Sequence, residues 1–244
     1  GGKSVMRKSL LSLLMVLSLV FLPFVAQTAM LDFVLAPSHA AEAYVKYEGG
    51  SNPLMADGIA VQEVFLKNDA GDRIATLDLK GAGAILTFTT GANTYSSATQ
   101  WNFDGGASSS IYITITNALD LGSFGVIAAG TKILTGTDVA GEVSRIPSPR
   151  IKDPGVALLV FSDTKDETLL SYFGMPYGAY EGNVNLGFQI FDASLNPETF
   201  SFYVSKDTIG SGDVENTPVP IPGAAWLLGA GLIGLVGIRR RMLP

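Results

Sequence analysis

The sequence predicts an all-β protein: a mostly antiparallel β-sandwich of jelly-roll or immunoglobulin-like type, with an apolar helix at each end. Three observations predict it. Apolar and polar residues alternate with period two through the middle of the chain. Gly, Pro, Asn and Asp turns separate these runs, and no long helical pattern competes. Both ends are apolar, which divides the chain into residues 1–43, 44–217 and 218–244.

The first segment is typical of a secretory signal peptide. Two basic residues at positions 7–8 precede an apolar run over residues 10–25. Small residues at the first and third positions before a cut predict cleavage by signal peptidase after Ala40 or Ala43. A retained membrane helix is the alternative, because the apolar stretch continues with interruptions to Leu35.

The middle segment predicts about nine to eleven short strands around one core. Residues 59–67 and 73–80 alternate on either side of an Asn/Asp/Gly loop and predict a hairpin. The proline-rich residues 146–155 predict a long loop or crossover, and the continuously apolar residues 156–162 predict a central strand. Further strands are predicted at residues 84–90, 110–117, 169–173, 183–192 and 199–205, although residues 164–170 would also suit one helical turn.

Charge and composition exclude several functions. Over residues 41–217, the body that remains after a cut at Ala40, the 16 basic residues fall to 10 and the 22 acidic residues to 21, so this body carries a net charge near −11. Such a surface repels nucleic acid and favours divalent cations. The chain has no cysteine, and its only histidine, His39, lies in the signal region. A Ser-His-Asp triad, a thiol nucleophile and the usual zinc, copper or haem ligand sets are therefore excluded from the middle segment.

The C-terminal segment has three parts in a fixed order. The first part is a short stretch that its two prolines keep extended. An apolar helix of about 15 residues follows, which spans roughly 22 Å, and an arginine cluster comes last. The helix is a marginal span of a bilayer core of about 30 Å, and the arginines are expected to stay cytoplasmic. The residues that define this pattern are Val219, Pro220, Ile221, Pro222, Gly223, Trp226, Arg239, Arg240 and Arg241.

This tail resembles the PEP-CTERM class of bacterial sorting signals, in its VPLPA-type variant. It departs from that variant at Ile221, where leucine is usual, and at Gly223, where alanine is usual. The resemblance implies an exosortase partner, a membrane-embedded transpeptidase-like enzyme of Gram-negative bacteria that make exopolysaccharide. It also implies cleavage near residues 219–223, an inner-membrane intermediate, and release of the body to the cell surface or outside the cell. An ordinary C-terminal membrane anchor is the alternative.

A calcium site is one hypothesis for the body. The loop residues Asn68, Asp69 and Asp72 offer the oxygen ligands that calcium prefers, as do Asp104 and Asp120. Their spacing does not match the EF-hand pattern, and acidic β-turns are common without a metal. Both interpretations stay open at this point.

A carbohydrate platform is a second hypothesis. Aromatic residues on Gly-bearing loops suit stacking against sugars, with acidic side chains as hydrogen-bonding partners. The candidates are Trp101, Asp104, Tyr177, Tyr180 and Glu181. The alternative is that Trp101 and the tyrosines pack over the ends of the sandwich.

The sequence as a whole therefore predicts an exported, non-enzymatic protein with a structural or adhesive role in exopolysaccharide or biofilm. The alternative is a polysaccharide hydrolase that uses paired carboxylates, for example Asp163 with Asp166 or Glu181 with Asp192. No local motif singles out such a pair.

Overall fold

The computed structural model describes residues 29–36, 43–146, 152–191 and 195–219. These residues form fifteen strands and one α-helix, α1 (Glu167–Phe173). The strands are β1 (Met30–Leu35), β2 (Tyr44–Tyr47), β3 (Leu54–Lys67), β4 (Arg73–Asp78), β5 (Ala84–Thr89), β6 (Asn93–Ser96), β7 (Gln100–Phe103), β8 (Ser110–Ile115), β9 (Leu119–Asp120), β10 (Val126–Ile127), β11 (Lys132–Arg145), β12 (Lys152–Lys165), β13 (Tyr180–Phe191), β14 (Phe202–Ser205) and β15 (Ile209–Pro218).

Eight antiparallel strands close into a barrel, in the order β1-β15-β13-β12-β11-β8-β5-β3. β1 closes the ring, because it pairs with β15 along one edge and with β3 along the other. The strand-rich, antiparallel character is confirmed, but the predicted sandwich is wrong. A sandwich needs two separate sheets, whereas here a single sheet meets its own first strand.

Long, bent strands make this closure possible. β3, β11 and β12 each have 14 residues, and β13 has 12. The register of β3 shifts between Ala56 and Ile59, and that of β11 shifts between Thr137 and Ala140. The second shift contains Asp138, whose φ is 56°. Such bulges bend a strand and increase its twist, which lets a sheet curl into a barrel.

Five of the remaining seven strands extend the barrel wall. β4 continues the sheet beside β3, and β7 pairs with β11 and carries β6. β2 pairs with β3 and carries β14, while β9 and β10 form a separate two-stranded ribbon.

The barrel interior is one hydrophobic core. Its packing combines large and small residues on facing strands. The Phe161 ring of β12 lies over Gly182 of β13, where an added Cβ would come within 2.2 Å of the ring. On the other neighbouring strand, a Cβ at Gly136 would meet the same ring at 2.8 Å. The two glycines therefore provide the space that the ring fills.

Helix α1 corrects the strand predicted at residues 169–173. Asp166 accepts hydrogen bonds from the backbone N–H groups of Thr168 and Leu169, and so caps the first turn. Gly174 ends the helix in the left-handed conformation, with φ of 65°. Leu169, Leu170 and Phe173 are buried, as helical spacing allows.

Neither predicted end helix is found among the described residues. Residues 30–35, placed in the signal segment, form the strand β1 instead, because their alternate side chains fill the barrel core. Residues 1–28 and the apolar C-terminal stretch lie outside the described residues. Among the residues that are described, no helix has the length and apolar character that a membrane span requires.

Candidate functional site

The seam of the barrel, which we define as β1 with its two neighbours β3 and β15, carries a charged cluster on its outer face. Asp32 lies directly across from Glu215 of β15. The Lys67 ammonium of β3 reaches over β1: its Nζ lies 2.6 Å from Asp32 Oδ2 and 2.8 Å from Glu215 Oε1. Lys67 therefore links all three strands through charge-assisted contacts.

Asp32 is unusually buried for a carboxylate, at 2% exposure. Its Oδ1 has no hydrogen-bond partner among the described residues. Burial raises the pKa of Asp32 above its ordinary value, against the lowering effect of the hydrogen bond from Lys67. Burial and the negative charges of Asp32 and Glu215 also raise the pKa of Asp213. The position of Asp32 is therefore energetically costly.

The seam cluster also has the composition of a cation site. One carboxylate oxygen from each of Asp32, Asp213 and Glu215 lies within 4.8 Å of the others. Oxygen sets of this kind suit calcium or magnesium. The Lys67 ammonium already contacts two of the three carboxylates, however, and supplies the positive charge. We interpret the cluster as a set of ion pairs that hold the three strands of the seam together.

A second charged group lies inside the barrel, where an apolar core is expected. The Lys165 ammonium of β12 is paired with the Asp163 carboxylate, and both side chains have 0% exposure. The Lys165 Nζ also lies 3.9 Å from the centre of the Tyr180 ring. The Tyr180 hydroxyl donates to the Pro176 carbonyl oxygen at 2.5 Å.

Burial shifts the pKa of every group in this interior cluster. It lowers the pKa of Lys165 to about 8, although the Asp163 carboxylate opposes that shift. It raises the pKa of Asp163, against the influence of Lys165. Burial, and then the negative charge of Asp163, raise the pKa of Tyr180 to about 12.

A lysine of lowered pKa is a chemically competent nucleophile or base. In this structure it has no exposed surface to meet a substrate. A groove of about 300 Å³ does open on the barrel, but it lies near the other end of β12, between Gly155 of β12, Phe188 of β13 and Thr208 before β15. The interior cluster therefore acts as a buried structural pair.

The structure separates the five predicted carbohydrate-binding residues. Trp101 has 0% exposure, and its indole N–H donates to the Phe200 carbonyl oxygen at 2.8 Å. Its ring packs edge-on against Phe202 in the core. Tyr180 is buried beside Lys165, as described above. These two rings present no free face for a sugar.

The other three candidates are exposed but lie apart. Asp104 follows β7, whereas Glu181 lies on β13, and the strands β11 and β12 run between them. Tyr177 is 62% exposed, and its hydroxyl lies 2.6 Å from that of Ser171. No single platform is formed by the five residues, all of which are described.

The predicted calcium loop is held by its own hydrogen bonds. The side-chain oxygen of Asn68 accepts from the backbone N–H groups of Ala70 and Asp72, at 3.0 and 2.9 Å. The Asn68 amide donates to Asp72 Oδ2 at 3.3 Å, and Asp69 is exposed. This is the geometry of an Asx turn that closes a hairpin. Calcium binding here stays a prediction.

Of the two predicted carboxylate pairs, the first has other partners. Asp163 is bound to Lys165, and Asp166 caps α1. Glu181 is exposed on β13, and Asp192 lies outside the described residues.

Sequence reasoning missed both charged clusters. A signal for the interior pair was available, because Phe161, Asp163 and Lys165 continue the period-two alternation of a core-facing strand. No equivalent signal marks the seam cluster, since its members lie on three strands that are separate in the sequence.

Of the predicted sorting motif, the structure describes only Val219. It is 41% exposed, and its backbone N–H donates to the Ala179 carbonyl oxygen at 3.1 Å. The rest of the motif lies outside the described residues: Pro220, Ile221, Pro222, Gly223, Trp226, Arg239, Arg240 and Arg241.

Comparison with protein-family models, with curated proteins and with solved structures found no match for this chain.

Proposed function

We propose that the protein is exported across the inner membrane of a Gram-negative bacterium, sorted through its C-terminal tail by an exosortase, and displayed or released as a structural or adhesive component of the extracellular matrix. The tail sequence carries this proposal, because it combines a proline motif, a short apolar helix and an arginine cluster in one order.

The point at which the barrel ends supports the proposal. β15 is a full member of the barrel wall and ends at Pro218. The proline motif begins at the next residue, Val219, which is substantially exposed. A protease that cuts on the C-terminal side of Val219 would therefore leave all eight barrel strands intact. A sorting signal needs this separation from the folded body.

The surface supports a role in solution or in a hydrated matrix. The body carries a net charge near −11, which keeps like molecules apart and disfavours binding to nucleic acid. The two lysine–carboxylate clusters described above are structural in their contacts. An interaction module fits these features better than an enzyme does.

The decisive experiment follows the tail in cells. The protein is expressed in its native host with and without the exosortase, and the C-terminus of the exported product is measured by mass spectrometry. We expect loss of Trp226 and Arg241 only when the enzyme is present. A variant with Pro220→Ala and Pro222→Ala serves as the matched substrate control, and we expect it to keep the tail. Recovery of the wild-type protein with Arg241 still attached in the native host would overturn the proposal.

A carbohydrate-associated role is tested separately, with Tyr177 as the probe. Tyr177→Ala removes an exposed ring and is expected to weaken binding on a glycan array without unfolding the barrel. Trp101→Ala is unsuitable for that purpose, because removal of a buried tryptophan costs about 3–5 kcal/mol of stability. Equal glycan binding by the wild type and Tyr177→Ala would remove Tyr177 from the carbohydrate hypothesis.

A further inference from the structure

β1 occupies a slot in the barrel that is shaped for one extended strand. Its inward side chains Leu31, Phe33 and Leu35 are 0%, 0% and 1% exposed. Its backbone pairs with β3 on one side and with β15 on the other. Six residues thus close a barrel whose longest strands have 14.

The predicted signal-peptidase cuts, after Ala40 or Ala43, fall between β1 and β2. A cut at either position would disconnect β1 from the rest of the barrel. The other seven strands would remain contiguous in their pairing order, from β15 through β13, β12, β11, β8 and β5 to β3. The cut would leave two facing edges, along residues 61–67 of β3 and 212–216 of β15.

Two unpaired strand edges with an open core between them are energetically unfavourable. Each edge presents unpaired backbone N–H and C=O groups, and the core behind them would be open to water where Leu31, Phe33 and Leu35 now lie. Addition of a strand satisfies both requirements at once, because main-chain hydrogen bonds provide affinity and alternate side chains provide specificity.

We propose that the space between β3 and β15 is an acceptor site for an extended strand, filled by β1 in the uncut chain and, after a cut between β1 and β2, by a strand that a partner protein donates. This rests on the proposed export, since export motivates the cut. The site defines the chemistry of the donor: bulky apolar residues at three alternate positions, and an acidic residue placed to meet Lys67.

Two contacts fit a replaceable strand. Lys67 and Glu215 lie on the two flanking strands and contact each other at 2.8 Å, so this ion pair does not depend on β1. It would keep the two edges in register when β1 is absent. Asp32, in contrast, is buried with one oxygen that has no partner among the described residues, so β1 is not fully satisfied in its slot.

The test uses the full chain with a specific protease site inserted between Ala36 and Ala43. The folded protein is cut, unfolded in denaturant and refolded with an excess of labelled synthetic peptide covering residues 29–36. We expect the label to enter the barrel at one peptide per protein, measured by native mass spectrometry. We also expect slow amide exchange along residues 61–67 and 212–216.

Two matched peptides establish specificity. Phe33→Asp places a charge in the core and is expected to be excluded, whereas Val34→Thr changes the opposite face of the strand and is expected to bind like the wild type. Lys67→Met in the barrel is expected to weaken binding of the wild-type peptide roughly tenfold, because the charge-assisted contact with Asp32 is lost. The same substitution should weaken binding of the Asp32→Asn peptide by less, because that peptide already lacks the charge-assisted contact.

Three results would overturn the proposal. The first is a refolded protein that takes up no label. The second is uptake of the Phe33→Asp peptide as readily as the wild type. The third comes from N-terminal sequencing of the exported protein: a mature chain that begins before Met30 keeps its own β1 and needs no donor. None of these outcomes depends on cleavage of the C-terminal tail. The sorting proposal can therefore fail without affecting this test, and its failure is measured by the C-terminal mass spectrometry described above.

Discussion

Asp163 and Lys165 place opposite charges on the inner face of β12, beside the buried ring of Tyr180. Each group loses its hydration, and their mutual attraction restores only part of that loss. Asp163 Oδ2 has no hydrogen-bond partner among the described residues, which adds to the cost. The pair is therefore expected to add little to the stability of the barrel, although removal of either partner alone should lower that stability.

Substitution of one partner alone should destabilise the barrel. We expect Asp163→Asn to lower the free energy of unfolding by about 3–5 kcal/mol, because a buried ammonium loses its counter-charge. The double variant Asp163→Leu with Lys165→Met removes both charges and should recover most of that loss. Urea denaturation of the wild type and both variants measures it. A double variant as unstable as the single one would contradict this explanation.

The stability of the barrel should also depend on pH through Lys165. Its pKa falls from 10.5 to about 8 on folding, so between these values the unfolded state binds more protons. The contribution of Lys165 to stability is therefore present above pH 10.5 and is lost as pH falls through about 8. Relative to Lys165→Met, we expect the wild type to gain on the order of 3 kcal/mol over this window. Denaturation curves at pH 7.5 and pH 10 test this, and parallel changes in both proteins would exclude Lys165 as the cause.

At the scale of elements, neighbouring barrel strands divide the interior volume between them. Phe161 of β12 lies opposite Gly182 of β13 and fills the space that the missing side chain leaves. The strands can therefore keep their spacing only with a very small residue at position 182.

Gly182→Ala should destabilise the protein by about 1–3 kcal/mol, because the new methyl group would overlap the Phe161 ring. Gly81→Ala is the matched control: an added Cβ there has no neighbour within 4 Å, and it should change stability little. Thermal unfolding compares the two variants. Addition of Phe161→Leu to Gly182→Ala should restore part of the loss, and a further loss of stability would point to a backbone effect instead.

The strand predictions succeeded where one strand carries one clear alternation. β5 and β8 lie within the predicted residues 84–90 and 110–117. β11 was not predicted, because its sequence mixes Gly, Thr and Asp with few apolar residues and contains a bulge. β15 was also missed, since its ten residues include only two apolar aliphatic ones, Ile209 and Val214.

At the scale of the whole molecule, closure joins the two ends of the described chain. β1 and β15 are neighbours, with Leu31 across from Asn216. Contacts between residues so distant in sequence require a large loss of chain entropy before they form. No disulfide assists, because the chain has no cysteine.

We therefore expect slow but cooperative folding, in milliseconds to seconds, as in other domains dominated by non-local strand pairs. Stopped-flow refolding of the full chain measures the rate. The unfolding midpoint should be the same with and without a reducing agent. A chain that ends at residue 208 lacks β15 and should lose the cooperative transition, and a cooperative transition in that truncated chain would show that closure is not required for folding.

Residue types and their order are enough to predict the strand-rich character, the inner and outer face of each clear strand, and a middle segment without histidine or cysteine. These properties follow from residue types and from period-two alternation, which are local. Three features are visible only in the folded chain: the sheet closes on itself, β1 lies between β3 and β15, and Asp163 meets Lys165 in the core beside Tyr180. The physical reason is that alternation specifies which face of a strand is buried, whereas the identity of its neighbour depends on the register and curvature of all the strands together.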